Sequence, residues 1–324
     1  MLTRRAALAG LAGLAVAAPR QGFAQTFPTR NITIVVPYPA GGPVDSVARL
    51  IGQEITGELG HAIVVDNRAG GAGVIGSVAV ARAEPDGYTL VLGTNQTHAT
   101  NQSLLKNCPY DAVKDFAPVA RVADIQHVLV VKKDLPVKTV AELIALAKSK
   151  PGQLNYGSTG VGSASHLAFE LFKSNAGIDL QHIPFRGSAP MSQDLLAGRL
   201  DASIATLPTV IGHIESKTLV PLAIASGRRS ERLPDVPTLA EAGVKGVEAD
   251  AWFTLFAPAK TPPAVIDRLY KAVNAGLSKE SAKTALAKQG MTVAIHSPSD
   301  VAAALPAEVA KWAAVIKAAN VSVD

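Results

Sequence analysis

The sequence predicts an α/β fold of two domains, each a mostly parallel sheet flanked by helices, and three observations lead there. Strand-like β-branched runs alternate with helix-like runs along the chain, which is the pattern of repeated βα units. The 324 residues suffice for two domains of about 150 residues each. The last three helical runs have almost no strands of their own, so they should return to cover the first sheet. That return makes the first domain discontinuous, with two chain crossings near residues 124–127 and 226–251. Two crossings form a hinge.

The first domain opens with strands at residues 32–36, 62–65 and 88–92, separated by helices at 43–57 and 74–83. The second series runs strand 128–131, helix 140–149, strand 154–157, helix 163–175, strand 182–184 and helix 191–197, then strands 202–206 and 220–225. Thr139 with Glu142 forms a capping box that fixes one helix start, and Lys150-Pro151-Gly152 ends that helix. After a polar stretch at 226–235, a strand at 251–256 precedes helices at 263–277, 281–288 and 299–318, with a short apolar run at 291–295. Ser297-Pro298-Ser299-Asp300 starts the last helix. Pro306 falls inside it, where a missing NH and a ring clash should kink or split it. The predicted domains are residues 25–125 plus 250–324, and residues 126–249.

Residues 1–24 read as an export signal: Arg4-Arg5, an Ala/Gly/Leu run over 6–18, and Gly22-Phe23-Ala24 as a small-x-small cleavage site. The 13-residue apolar run is too short to span a bilayer, and the arginine pair resembles a twin-arginine signal. Cleavage near Ala24 would leave the mature chain in the periplasm. It would remove three of the 31 basic residues and no acid, leaving 28 against 26 acidic. The mature charge is therefore nearly balanced, and no basic run carries interleaved aromatics, so nucleic acid is not an expected partner. Cys108 is the single cysteine, which excludes an internal disulfide and multi-cysteine metal sites. The seven histidines show neither H-x-x-x-H nor H-E-x-x-H spacing, so neither a metal nor another cofactor is expected.

The stretch at residues 31–46 carries the chemistry. A β-branched strand breaks into Pro37-Tyr38-Pro39-Ala40-Gly41-Gly42 and then enters a helix. Free NH groups at such a turn, on the positive end of a helix, hold anions. Pro43 contributes no NH, which leaves Ala40, Gly41 and Gly42 as candidate donors. Gly157-Ser158-Thr159-Gly160-Val161-Gly162-Ser163 repeats the design in the second domain, with the hydroxyls of Ser158, Thr159 and Ser163 as further donors. Helix capping by Ser163 or Ser165 is the simpler role for either residue alone. Arg186, between a strand and a helix, could grip a carboxylate with its fork or make a surface ion pair. Asp201 could brace a neighbouring loop's NH groups or face solvent. Gly71-Ala72-Gly73-Val74-Ile75-Gly76 matches a dinucleotide fingerprint, but a loop separates it from its strand and no acid follows about 20 residues on, which disfavours a nucleotide. A serine hydrolase using Ser158, Ser163 or Ser165 lacks a nucleophile elbow and a base placed by spacing.

Together these segments resemble one family. Val36-Pro37-Tyr38-Pro39-Ala40-Gly41-Gly42 with Asp45, Val65-Asp66-Asn67-Arg68-Ala69-Gly70-Gly71, Asp86-Gly87-Tyr88-Thr89, Pro109-Tyr110-Asp111, Pro184-Phe185-Arg186-Gly187, Gly198-Arg199-Leu200-Asp201 and Lys311-Trp312 are similar, in order, to the Bug-type substrate-binding proteins of tripartite tricarboxylate transporters. The resemblance implies a type II-like periplasmic binding protein, not an enzyme, that closes on a small organic carboxylate and passes it to a membrane permease. It implies that Tyr38 to Gly42 with Asp45 face the Ser158 to Ser163 loop across the cleft, and that Thr94, Gln96 and Thr97 line it. A sensing role, with the closed protein docking on a sensor kinase, is the alternative.

Overall fold

The computed structural model describes residues 27–318 and 321, so the export signal read at 1–24 lies outside the described residues. The first sheet has six strands: β1 (Ile32–Val36), β2 (Ile63–Asn67), β3 (Thr89–Thr94), β4 (Phe116–Ile125), β10 (Ala251–Pro258) and β11 (Met291–His296), in the order β11-β4-β10-β3-β1-β2. The second has five: β5 (His127–Lys132), β6 (Asn155–Ser158), β7 (Gln181–Pro184), β8 (Ala202–Thr206) and β9 (Leu219–Ile224), in the order β7-β6-β8-β5-β9. The chain passes from the first sheet to the second between β4 and β5, and back between β9 and β10.

Both sheets are mixed, which corrects the mostly parallel expectation. Parallel pairing is confined to β2-β1-β3 and β7-β6-β8, where helical crossovers set the direction. β10 runs antiparallel to both its neighbours, and so does β5. Only Gln126 separates β4 from β5, so no crossover helix exists there to make the incoming strand parallel.

Helix α1 (Pro43–Leu59) begins with proline in its first turn and ends at Gly60 in the left-handed conformation. Its apolar stripe, Val47, Ile51 and Ile55, is fully buried against β1 and against α8 (Pro263–Leu277), whose Leu269 and Val273 share that core. The late helices thus return to the first sheet. α10 (Pro298–Ala318) goes further: Leu305, Trp312 and Ile316 join Phe116 of β4 and Phe169 of α5 (Ala164–Ala176) in one cluster. Pro306 does not split α10, which runs unbroken for 21 residues. It lies on an exposed face beside exposed Ala302, whose unpaired carbonyl water can solvate.

Three elements escaped the sequence reading. β4 contains Pro118, Arg121 and Asp124, which obscure its strand character, and a register shift in its pairing with β10 accommodates Pro118. Helix α7 (Leu207–Glu215) carries Pro208 in its first turn and Gly212 inside. The run after β3, Gln96–Thr100 and then Asn101–Leu104, is helical and wholly polar at its start.

Candidate ligand-binding site

The first cradle forms where β1 runs into α1. Gly41 takes φ +84°, a left-handed conformation that glycine adopts without strain. The Asp45 carboxylate turns back over the loop. It accepts from the Gly41 NH at 3.0 Å, from Arg49 Nε at 3.0 Å and from Asn67 Nδ2 at 3.1 Å. Burial pushes this carboxyl up, but the bonds from Arg49, Gly41 and Asn67 outweigh it and hold the group below its ordinary range. Asn67 also donates to the Tyr38 carbonyl at 3.2 Å, so one carboxylate fixes the whole turn. The Ala40, Gly42 and Val44 NH groups have no partner among the described residues.

The second cradle joins β6 to α5. Ser163 caps α5, accepting from the His166 NH at 3.3 Å and donating to the Gly160 carbonyl at 2.7 Å. Ser165 Oγ accepts from the Thr159 NH at 3.0 Å and lies 3.2 Å from Thr159 Oγ1. The Ala164 and Ser165 NH groups remain unpaired among the described residues. Beneath the loop, Ser158 Oγ bonds His182 Nε2 at 2.7 Å, and the His166 and His182 rings stack at 3.9 Å. His166 Nδ1 accepts from the Gly162 NH at 3.0 Å, which requires that nitrogen to be unprotonated. Burial pushes His166 down to about 3 and His182 down to about 4.

The helical run after β3 ties the two cradles together. Tyr38 Oη lies 2.8 Å from Thr94 Oγ1 and donates to Gln96 Oε1 at 3.1 Å. Gln96 Nε2 donates to the Val161 carbonyl at 3.1 Å, and Thr100 Oγ1 to the Gly162 carbonyl at 2.9 Å. Burial raises the Tyr38 phenol to about 12, so it stays protonated. His127, at the start of β5, is buried and held neutral, its pKa pushed down to about 4.

Between the cradles lies an open cleft. Three helix N-termini border it: α1 through Pro43 and Val44, α5 through Ala164 and Ser165, and α6 (Ser188–Leu196) through Ser188 and Ala189. No aspartate or glutamate lines it among the described residues, and Arg186 is its one charged side chain. The converging positive helix ends and the unpaired NH groups make it a place for an anion.

Of the candidate residues, Tyr38, Ala40, Gly42, Thr94, Gln96, Thr159, Ser163 and Arg186 line this cleft. Five other candidates do not. The Gly41 NH is consumed by Asp45, and Asp45 itself faces the loop and Arg49 rather than the cleft. Thr97 Oγ1 accepts from the Thr94 NH at 2.9 Å and bonds His98 Nδ1. Ser158 is fully buried against His182 and the Gly160 carbonyl, so the one serine that has a histidine partner is out of reach of the cleft. Asp201 accepts from the Asn155 NH at 2.9 Å and pairs with Lys132 at 2.7 Å, bracing the start of β6. Asn95, within the Thr94 to Thr97 loop that the resemblance places on the cleft, and Ser165 also line it, whereas His127, Ser188, Thr206, Ala251 and Phe253 line the cleft without having been singled out in the sequence. Their only sequence signal is position, since each sits near a strand end or helix start, with His127, Ala251 and Phe253 beside a crossing.

The model of the tripartite tricarboxylate transporter family receptor matches residues 47–321. BugT of Bordetella pertussis is 38% identical over 98% of this chain and 97% of its own length. The structure of R. palustris Rpa4515 with adipate superposes with a TM-score of 0.88 at 39% identity, covering 92% of this chain and 100% of that one. MatC from Rhodopseudomonas palustris with bound malate gives 0.84 at 33% identity, covering 90% and 100%. The chain therefore belongs to the Bug-type receptors of the tripartite tricarboxylate transporter family, a family of solute-binding proteins built on the two-domain binding-protein fold.

Proposed function

We propose that the protein captures a small organic carboxylate in the cleft between its cradles and delivers it to the membrane permease of a tripartite tricarboxylate transporter. In this reading it works in the periplasm, as two domains made of residues 25–125 plus 250–324 and of residues 126–249. These close about the crossings at Gln126 and ahead of Ala251. The ligand carboxylate takes the free NH groups of Ala40 and Gly42 on one side, and the Thr159 hydroxyl with the Ala164 and Ser165 NH groups on the other.

One observation carries the reading: three helix N-termini meet at a cleft that no acidic side chain lines among the described residues. The adipate and malate named with two relatives fit it, and no described helix is long and apolar enough to cross a membrane. A thermal-shift panel of carboxylates and neutral sugars against the purified protein tests it. Carboxylates should raise the melting temperature. Stabilisation by sugars alone would overturn the proposal.

A further inference from the structure

Among the described residues, the buried polar side chains that line the cleft are Thr94, Asn95, Gln96, His127, Ser163 and Ser165. All but one are committed to the protein. Thr94 Oγ1 bonds Tyr38 Oη at 2.8 Å. Asn95 Oδ1 accepts from the Trp252 NH at 2.8 Å, and Gln96 is used at both ends, by Tyr38 and by the Val161 carbonyl. Ser163 donates to the Gly160 carbonyl, while Ser165 accepts from the Thr159 NH and its hydroxyl lies 2.9 Å from that of Ser163. His127 stands apart. It is 1% exposed, yet its Nδ1 has no hydrogen bond among the described residues.

A buried polar atom without a partner is costly, and native proteins keep few of them. An apolar side chain would fill the same wall without that cost. The position is also rigid, since His127 pairs with Thr206 across the β5-β8 ladder and its carbonyl accepts from the Ala225 NH at 2.8 Å. Burial keeps the ring neutral. A neutral imidazole carries one proton and one lone pair; the Ala249 backbone favours the proton, and the lone pair is left without a donor.

That lone pair discriminates among ligand groups. The backbone groups left open at the helix starts are all NH donors, which suit a carboxylate, but a carboxylate has no proton to offer the imidazole. An ammonium group could donate, yet it brings a charge that no acidic side chain of the cleft receives. A hydroxyl donates without a charge.

We infer that His127 is a specificity-determining residue, whose buried imidazole accepts a hydrogen bond from a hydroxyl of the bound ligand. This rests on the carboxylate-receptor reading and adds to it the residue that ranks one carboxylate against another.

Isothermal titration calorimetry of the purified protein tests the inference. Butyrate, succinate, glutarate and adipate are each titrated beside their monohydroxy analogues. At least one hydroxy analogue should bind about tenfold more tightly than its parent, because the parent leaves the imidazole unpaired. His127→Leu should erase that preference, and His127→Asn, which keeps an acceptor, should restore part of it. A merely structural role would weaken parent and analogue alike and leave their ratio unchanged, which overturns the inference. Proton uptake on binding that His127→Leu abolishes, read from titrations in two buffers of different ionisation enthalpy, overturns it too, since the ring would then be a cation facing a carboxylate. If carboxylates bind and no hydroxyl is favoured, the receptor reading stands and the inference falls; if no carboxylate binds, both fall.

Discussion

The two cradles share a plan and differ in what holds them. The first is clamped by a charged group: Asp45 gathers the Gly41 NH, Arg49 and Asn67. The second is held by neutral groups, a chain of serine and threonine hydroxyls above and the stacked His166 and His182 below. The glycines differ in the same sense. Around Gly41 a side chain would meet open space, with no atom within 4 Å of an added Cβ, whereas at Gly162 it would lie 2.0 Å from Leu104 Cδ2. The first loop is thus fixed from one side by bonds, and the second is wedged between neighbours. A ligand therefore meets one jaw set by electrostatics and one set by packing.

The largest effect should come from Gly162→Ala. It combines φ +72° with that overlap and displaces the carbonyl that Thr100 grips. A loss of about 3 kcal/mol or more is expected in urea unfolding, together with loss of binding. Asp45→Ala should follow, at about 2 kcal/mol, because the Gly41 NH and the Asn67 amide lose their acceptor. Arg49 is itself half exposed, so its ionic share is small. Binding should weaken about tenfold in calorimetry. A fully stable Asp45→Ala protein would remove the distinction between the jaws.

Acid should separate the cradles next. His166 and His182 titrate lower in the folded protein than the ordinary value of 6.5, so the unfolded chain takes up protons first as pH falls. Their contribution is complete above about pH 6.5 and shrinks as pH drops towards 4, by up to about 1.4 kcal/mol per unit for each fully buried histidine. The partly buried His182 contributes less. Asp45, held below its ordinary range of 3.8, keeps its contribution until pH falls below that value. The urea midpoint should therefore be lower at pH 4.5 than at pH 7.5, and His166→Gln, which keeps an acceptor for the Gly162 NH, should flatten part of the slope. The buried His98 and His127 sustain the remainder. The smallest effect belongs to Gly41→Ala: a strained φ in open space, worth about 1 kcal/mol in the same urea assay, with the cradle intact.

Much of this was legible in the chain. β1, α4 (Val140–Ser149), β8 and α8 fall at the predicted residues, because β-branched runs, a capping box and helix-starting prolines each act locally. The cradles were readable for the same reason, as strand, glycine and helix follow one another within a dozen residues. What could not be read is which polar group faces which. Asp45 is an acid beside a loop in the sequence; only folding shows that it is taken up by the Gly41 NH, Arg49 and Asn67, and folding selects the bracing role over the solvent-facing one for Asp201. The cleft roles of His127 and Phe253 depend on strands 126 residues apart meeting at one floor, a relation with no local signature. Non-local pairing likewise set β10 antiparallel between β3 and β4, where periodicity alone suggested a βαβ unit.

β10 lies between β3 and β4 although some 125 residues of chain separate it from β4. Its neighbours precede it in the chain and touch one another only through it. The gap fills only when the last quarter of the chain is available, and with it come Ala251 and Phe253 of the cleft floor. A fragment ending before residue 251 would carry both anion loops and lack the part of the wall that Ala251 and Phe253 supply.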